Sequence, residues 1–467
     1  MADLIITEKA NITAIADKVR ALDNSSASLN FEEMKDKLTS ERQNVDGALA
    51  ALAEKGVEVP EGSTAAALPE LIGNIQASSS AVEKKDISFY DYDGTLLYSY
   101  TIEEANALTA LPAGPTHEGL VFDGWNWSLD DVKSLTRPMN IGAMYATDDG
   151  TTHIYIHLEE GRTSPMLGIC PNGTVTVDWG DGTAPNTLTG TSLSAVKWTP
   201  THHYADPGDY VIRLTVDGIA GMYGTNNANT HSYLLRYESS ADARNYVYQN
   251  AIQKVEIGNG IRIGNYAFLH CHSLASITIP CGMTNIGNYA FQYCYSLASI
   301  TIPDGVTSIG NYAFQYCYSL ASITIPYGVT SLGSTTFQYC YSLASITIPD
   351  GVTSIGSYTF QYCHSLANLT IPYGVTNIGI YAFQYCYPLA SLTISGSVTS
   401  IGSYAFYSCY SVAYYDFTSH TSVPALSNTN AFNNISADCE IRVPASLAEE
   451  WKAATNWATY ADYIVGV

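Results

Sequence analysis

Seven cysteines stand 23 residues apart: Cys271, Cys294, Cys317, Cys340, Cys363, Cys386 and Cys409. Phe268, Phe291, Phe314, Phe337, Phe360, Phe383 and Phe406 keep the same step, and so do Gly264, Gly287, Gly310, Gly333, Gly356, Gly379 and Gly402. Three residue types held in phase through every copy leave no room for coincidence. A fixed period of this length means one small unit repeated and stacked, because a lone copy cannot enclose its own core.

One unit reads Leu297, Ile300, Ile302, Pro303, Val306, Ile309, Gly310, Ala313, Phe314 and Cys317. The alternation Ile300-Thr301-Ile302 predicts a short strand with two residues facing in, ended by Pro303. Phe314 and Cys317, three apart, predict a short helical turn on the opposite wall. Each coil then adds one strand to a parallel sheet, spaced by about 4.8 Å. A unit buries about six large apolar side chains at roughly 1.5–3 kcal/mol each. Ordering its residues costs on the order of 25–45 kcal/mol, so neighbours must share their interiors. Residues 252–257 read as an incomplete opening coil, Ile441-Arg442-Val443 as a last strand, and 447–454 as a capping helix. The period is that of a leucine-rich-repeat-type solenoid. The pattern Ile-Pro-x-x-Val-x-x-Ile-Gly-x-x-Ala-Phe-x-x-Cys closely resembles the BspA-like leucine-rich repeat family of bacterial and protist surface proteins, over roughly residues 250–467. That resemblance implies adhesion to host proteins and surfaces, and the tail from Val443 to Trp457 looks like the family's usual ending.

Between residues 263 and 412 the only formal charges are Asp304 and Asp350. Such a surface recognises little through salt bridges. Two outward rows are instead aromatic: Tyr293, Tyr316, Tyr339, Tyr362, Tyr385, and Tyr295, Tyr318, Tyr341, Tyr387, with His272 and His364 substituting. Thr278, Thr301, Thr324, Thr347, Thr370 and Thr393 form a hydroxyl ladder on the strands. Flat rings and hydroxyls suit sugars or extended polymers; the same rings also suit a ladder that only stabilises the stack. The position after the strand varies as Cys281, Asp304, Tyr327, Asp350 and Tyr373, where specificity can reside. The cysteine ladder has neither disulfide pairing nor metal spacing, so buried thiol fillers are expected.

Ahead of the repeats, Ile12, Ile15, Val19 and Leu22 follow an a/d helical spacing and are candidate oligomerisation residues. Phe31, Met34 and Leu38 mark a second helix, and the plan recurs at Val45, Leu49, Leu52 and Leu68, Leu71, Ile72, Ile75. Residues 1–77 thus read as a helical attachment or oligomerisation region, followed by a linker at 78–83. The segments Ile12-Thr-Ala-Ile-Ala-Asp-Lys-Val-Arg-Ala21 and Leu29-Asn-Phe-Glu-Glu-Met-Lys35 resemble helical modules at the start of phage tail and baseplate-associated proteins of Gram-positive hosts.

Residues 84–137 carry hairpin signals, with Asp93-Gly94 as a tight turn, and look like an internalin-type B repeat. Asp91 and Asp93 imitate a calcium loop, but Ile102 stands where the bidentate Glu belongs, so calcium is rejected. Residues 138–237 alternate apolar and polar around Trp179-Gly-Asp-Gly182 and Asp206-Pro-Gly208, as a β-sandwich does. They match the signature of PKD domains, immunoglobulin-like spacers in which the Trp179 position packs in the core. His202 and His203 have no partner cluster and read as structural. The fold class is therefore multidomain: a small α-helical N-terminus, two small β modules, one of them immunoglobulin-like, and a leucine-rich-repeat solenoid over 238–417 with a cap over 418–467.

The formal net charge is −23, which disfavours nucleic acid and anionic membrane as partners. No stretch approaches a membrane span and the start is no secretory signal. No catalytic motif, cofactor site or metal site emerges, so no enzyme is expected. The helical resemblance and the solenoid together point to a phage tail fibre or receptor-binding protein. Its expected partners are tail or baseplate proteins and a host cell-surface glycan or protein; it would be a homo-oligomer, with a trimer expected, in the virion. The alternative is a cellular surface adhesin of the BspA-like type; a third reading is a passive stalk.

Overall fold

The computed structural model describes residues 84–136, 138–222, 225–227, 230–232, 234–236 and 250–467. The helices expected over 1–77, the linker, and Ile12, Ile15, Val19 and Leu22 lie outside the described residues. The chain divides into two compact units, residues 1–84 with 95–99, and the remainder. The first contributes most of strand β2 (Leu96–Tyr100) to the described residues.

The second unit begins with β1 (Ile87–Tyr90), followed later by β3 (Leu120–Trp125) and β4 (Met139–Thr147). The central β4 takes β1 in parallel, Ile87 opposite Met139, and β3 antiparallel, Leu120 opposite Thr147. Two short helices, α1 (Ile102–Asn106) and α2 (Leu129–Lys133), start on capping boxes built by Thr101 with Glu104 and by Ser128 with Asp131. Phe89 and Trp125 meet edge to face at 4.9 Å in the core. The first module thus runs through residue 147, not 137: the run 139–147 is its middle strand rather than the start of the next module.

The second module holds β5 (Thr152–Leu158), β6 (Met166–Asp178), β7 (Asn186–Thr191), β8 (Lys197–Trp198) and β9 (Gly208–Met222). Antiparallel β9 lies between β5 and β6. The fully buried Trp179 donates to Asn186 Oδ1 at 2.7 Å, and Tyr204 Oη donates to the Trp179 carbonyl. His202 stacks on Trp179 at 4.5 Å and pairs with Asp181, so it is structural. Short strands β10 (Thr225–Asn227), β11 (Thr230–Ser232) and β12 (Leu235–Arg236) follow.

A β-sandwich spacer was expected here; the pairing gives a sheet that continues into the solenoid. The opening coil supplies β13 (Ile252–Glu256), antiparallel to β5, and β14 (Ile261–Ile263), parallel to the end of β9. Strand β15 (Ser276–Thr278) then adds to β13 in parallel. The module therefore closes the first open edge of the stack, satisfying backbone groups that would otherwise face solvent.

Each later coil presents three walls. The strand wall carries short parallel strands, such as Ser299–Thr301 beside Ser322–Thr324 in register, reduced at the next coil to a single bridge between Ser322 and Ser345. A second wall carries two-residue strands, such as Ser308–Ile309 beside Ser331–Leu332. The third wall holds Phe and Cys, and it is not the helical turn that their spacing suggested. It is a run of tight turns whose amides bond axially: Tyr289, Phe291 and Tyr293 N–H donate to the carbonyls of Asn311, Ala313 and Gln315 in the next coil. Aiming these amides along the axis requires left-handed backbone at Tyr289 (φ 58°) and Tyr293 (φ 64°), and the same at their equivalents. A Cβ on Gly310 would come within 2.6 Å of the Asn288 amide nitrogen, which explains the glycine column.

Phe and Cys of every coil point inward and are fully buried. Each thiol from Cys294 to Cys409 also donates to a Phe carbonyl of the preceding coil, as Cys317 does to Phe291 at 3.2 Å. Burial pushes their pKa values well up. They are filler and also hold coil to coil. The strand Glu440–Val443 is not the last rung: Ile464–Gly466 pairs with it in parallel after helix α3 (Ala448–Ala453).

Candidate functional site

Only part of the strand wall is open. Thr278, Thr301 and Thr324, expected as an outward hydroxyl ladder, are buried beneath the first β module. Gly142 of β4 presses on them so closely that a Cβ there would lie 2.3 Å from Thr324 Oγ1 and 2.5 Å from Thr301 Oγ1. Asn126 Nδ2 donates to the Ile302 carbonyl at 3.1 Å, Trp127 Nε1 to the Ile325 carbonyl at 3.3 Å, and Ser299 Oγ to the Tyr92 carbonyl at 2.8 Å. Asn126 Oδ1 meanwhile accepts from the Gly142 amide. Further along, Thr347 and Thr370 are half-buried and Thr393 is exposed.

The corner row after the strand is exposed throughout, at Cys281, Asp304, Tyr327, Asp350 and Tyr373. Its start is engaged by the same module: Cys281 Sγ meets Asp123 Oδ2 at 2.5 Å, and Tyr327 meets Trp127 edge to face at 5.5 Å. Tyr373, 79% exposed, stands farthest into solvent.

The tyrosine rows lie on the third wall, and their rings stack on one another. Steps along Tyr293, Tyr316, Tyr339, Tyr362 and Tyr385 are 4.6–4.7 Å. Along Tyr295, Tyr318, Tyr341, His364 and Tyr387 they are 4.8–4.9 Å. Ring faces inside these columns are taken by neighbouring rings, so stacking a sugar on each face, as the rows suggested, is ruled out there. What they show to solvent is their edges and phenol groups. Burial and neighbouring phenols raise the pKa of Tyr316, Tyr318 and Tyr339, leaving neutral hydroxyls. A third column, outside the two rows expected from sequence, runs through Tyr266, Tyr289 and Tyr312 and again through Tyr358, Tyr381 and Tyr404. Its signal was present, since these residues also keep the repeat period. Behind the rings, Gln292, Gln315, Gln338, Gln361 and Gln384 form an amide ladder, each Nε2 donating to the next Oε1.

Charge is concentrated where the second module joins the first coil. Buried Glu256 accepts from Lys254 at 2.6 Å, Tyr155 at 2.8 Å and His153 Nδ1 at 3.1 Å. His153 Nε2 in turn faces Asp149 and Thr151. Burial opposes the Glu256 charge, yet the hydrogen bonds from His153, Lys254 and Tyr155 outweigh it and hold its pKa down to about 2. The Glu256 contact likewise raises the pKa of His153. Every group here has a structural partner. Asp91, which imitated a calcium ligand, is buried and accepts from Tyr145 Oη and His117. Among the described residues no group of His, Cys, Asp and Glu is arranged to hold a metal ion, and no helix is long and apolar enough to cross a membrane.

No curated protein matches the chain. Among solved structures it is similar to a leucine-rich repeat protein of T. pallidum, 32% identical over 34% of this chain and 78% of that one, with TM-score 0.32. A leucine-rich repeat protein of Bacteroides ovatus is 24% identical over 47% of this chain and 67% of that one, with TM-score 0.33. A leucine rich cell surface protein of Faecalibacterium prausnitzii is 21% identical over 45% and 91%, with TM-score 0.18. Residues 243–367 and 330–449 match the family described as BspA type leucine rich repeat region, in six copies. The period, the inward Phe and Cys and this match agree: residues 243–449 are a BspA-type leucine-rich repeat region.

Proposed function

We propose that the chain is a non-enzymatic surface-recognition protein of the adhesin type, whose solenoid contacts a glycan or protein of another cell. The observation that carries this is a densely packed solenoid with almost no charge, whose exposed walls offer neutral phenol edges, threonine hydroxyls and the highly exposed Tyr373. Such a surface gains from shape and hydrogen bonds rather than from long-range attraction. The BspA-type repeat region supports an adhesin more than a tail fibre. The tail-fibre reading, with its trimer and virion location, draws on the resemblance of residues 12–35, which lie outside the described residues.

The test is binding of the labelled full chain to whole cells and isolated cell walls at low and high salt. Binding that persists at high salt fits neutral contacts. Loss at modest salt contradicts the charge-poor recognition wall, and no binding to any surface leaves a passive stalk.

A further inference from the structure

The tyrosine columns of the third wall are oxidisable groups held in contact, and they differ in where that contact stops. A phenol gives up an electron, and its proton with it, far more readily than a phenyl ring or an imidazole. Continuity therefore requires tyrosine to touch tyrosine. The first row is unbroken, with steps of 4.6–4.7 Å from Tyr293 to Tyr385. The second row is tyrosine as far as Tyr341 and is then interrupted by His364, which stacks on Tyr341 and on Tyr387 at 4.9 Å each. The third column stops at Tyr312 and resumes at Tyr358, with Thr335 on the rung between.

Contacts within a coil join the rows to one another. Tyr316 meets Tyr318 edge to face at 6.1 Å, Tyr339 meets Tyr341 at 6.0 Å, and Tyr385 lies 5.8 Å from Tyr387. Beyond that point the rings branch to Tyr410, 5.4 Å from Tyr387, and to Tyr407, 5.7 Å from Tyr385. Between the coil of Tyr339 and the coil that follows it, one tyrosine–tyrosine contact exists among the described residues, Tyr339 with Tyr362 at 4.6 Å. The thiols offer no way round it. They are fully buried and donate to backbone carbonyls, with no base beside them to take a proton.

We propose that the third wall carries single oxidising equivalents along the solenoid, with Tyr339 and Tyr362 as its one crossing at mid-length. A diffusible one-electron oxidant, such as a carbonate radical, takes one electron from a tyrosine of the coils before the crossing, and the phenol proton passes to water. The neutral tyrosyl so formed regains an electron and a proton from the adjoining phenol, which becomes the tyrosyl in its turn. Each hop joins like groups, so it is close to thermoneutral and changes neither net charge nor proton count. The equivalent comes to rest where a ring is open to solvent. Tyr410, 51% exposed and stacked on Tyr387 alone, is that place at the far end. This activity is independent of the recognition reading.

The test tethers a ruthenium tris-bipyridine photo-oxidant to the full chain through A275C, an exposed position in the coil of Cys271. The background is C281S, which removes the one exposed native thiol. Light with pentaamminechlorocobalt(III) as electron acceptor turns the tethered metal into the one-electron oxidant. A nitroso spin trap captures tyrosyls, and peptide mass spectrometry locates the adducts. Three chains are compared: this parent, its Y362F variant, which keeps the stacked ring but not the phenol, and Y362F combined with H364Y, which opens a crossing in the second row. Near-ultraviolet circular dichroism checks that all three fold alike. The expected result is adducts at Tyr407 and Tyr410 in the parent, their loss in Y362F with accumulation at Tyr339 and Tyr341, and their return when H364Y is added. No adducts beyond Tyr339 in the parent, undiminished adducts at Tyr410 in Y362F, or no return with H364Y overturns the proposal.

Discussion

Tyr316 allows stacking and backbone strain to be measured against each other. Its ring lies 4.7 Å from Tyr293 and 4.6 Å from Tyr339, within 7° of parallel to both. Its backbone sits at φ 63°. Tyr316→Ala removes two stacked contacts worth about 0.5–1.5 kcal/mol each, so the loss is about 1–3 kcal/mol, and the left-handed penalty stays. Tyr316→Gly removes the same contacts but releases about 1–2 kcal/mol of strain. Glycine's greater unfolded-state freedom returns about 0.5–1 kcal/mol of that. The glycine variant should therefore be more stable than the alanine variant by roughly 0.5–1 kcal/mol, the reverse of the order found inside helices and strands. Urea unfolding of the full chain, followed by near-ultraviolet circular dichroism, compares the three midpoints at matched slope. An alanine variant at least as stable as the glycine variant would refute the left-handed assignment. Two variants both indistinguishable from the parent would refute the claim that the columns hold the stack together.

The remaining predictions address the joints. Glu256, with its pKa held down to about 2, contributes stability above its ordinary value near 4.5 that is lost as pH falls toward 2. His153, with its pKa raised, contributes fully below its ordinary 6.5, and that share is lost as pH climbs through the higher folded value. Stability against pH should fall on both sides, and Glu256→Gln should flatten the acid limb. Gly142→Ala should lift the first module from the strand wall, because its Cβ would meet Thr324 and Thr301; limited proteolysis between residues 84 and 147 should accelerate in the full chain. Asn126→Ala, which leaves the Ile302 carbonyl and the Gly142 amide without these partners, should cost on the order of 2 kcal/mol in the same unfolding assay. Thiol titration of the native chain should label Cys281 alone of the ten cysteines, slowly since burial and Asp123 push its pKa up to about 11, and all ten in denaturant.

The period of the repeat made the solenoid legible, and with it the inward Phe and Cys. Period says which residues line up, but not what lies against them. Tyr293 and Tyr316 were read correctly as one row. That their faces are used up by each other follows from the rung spacing, which brings flat rings to contact distance. The turn wall was misread because Tyr is not a residue expected at positive φ; only the axial hydrogen bonds reveal why it sits there. The burial of Thr278, Thr301 and Thr324 depends on Gly142, more than a hundred residues upstream in sequence, and no local pattern encodes that encounter. The boundary near residue 138 was misplaced for a similar reason: β4 reads equally well as the first strand of one module or the middle strand of another.

The sheet that passes unbroken from β5 and β9 into the opening coil has a bearing on how such a chain can change over generations. The start of the stack is sealed by a module bonded edge to edge, and the far end by the rung Ile464–Gly466 and its helix. On the turn wall the coils between hand their amides to the next in one recurring way, as Tyr289 does to Asn311 and Tyr358 to Ile380, although strand pairing on the other two walls is interrupted around residues 331–355. Duplication or deletion of whole 23-residue units would lengthen or shorten the wall while both seals keep their partners, so reach is adjustable without redesign of either end.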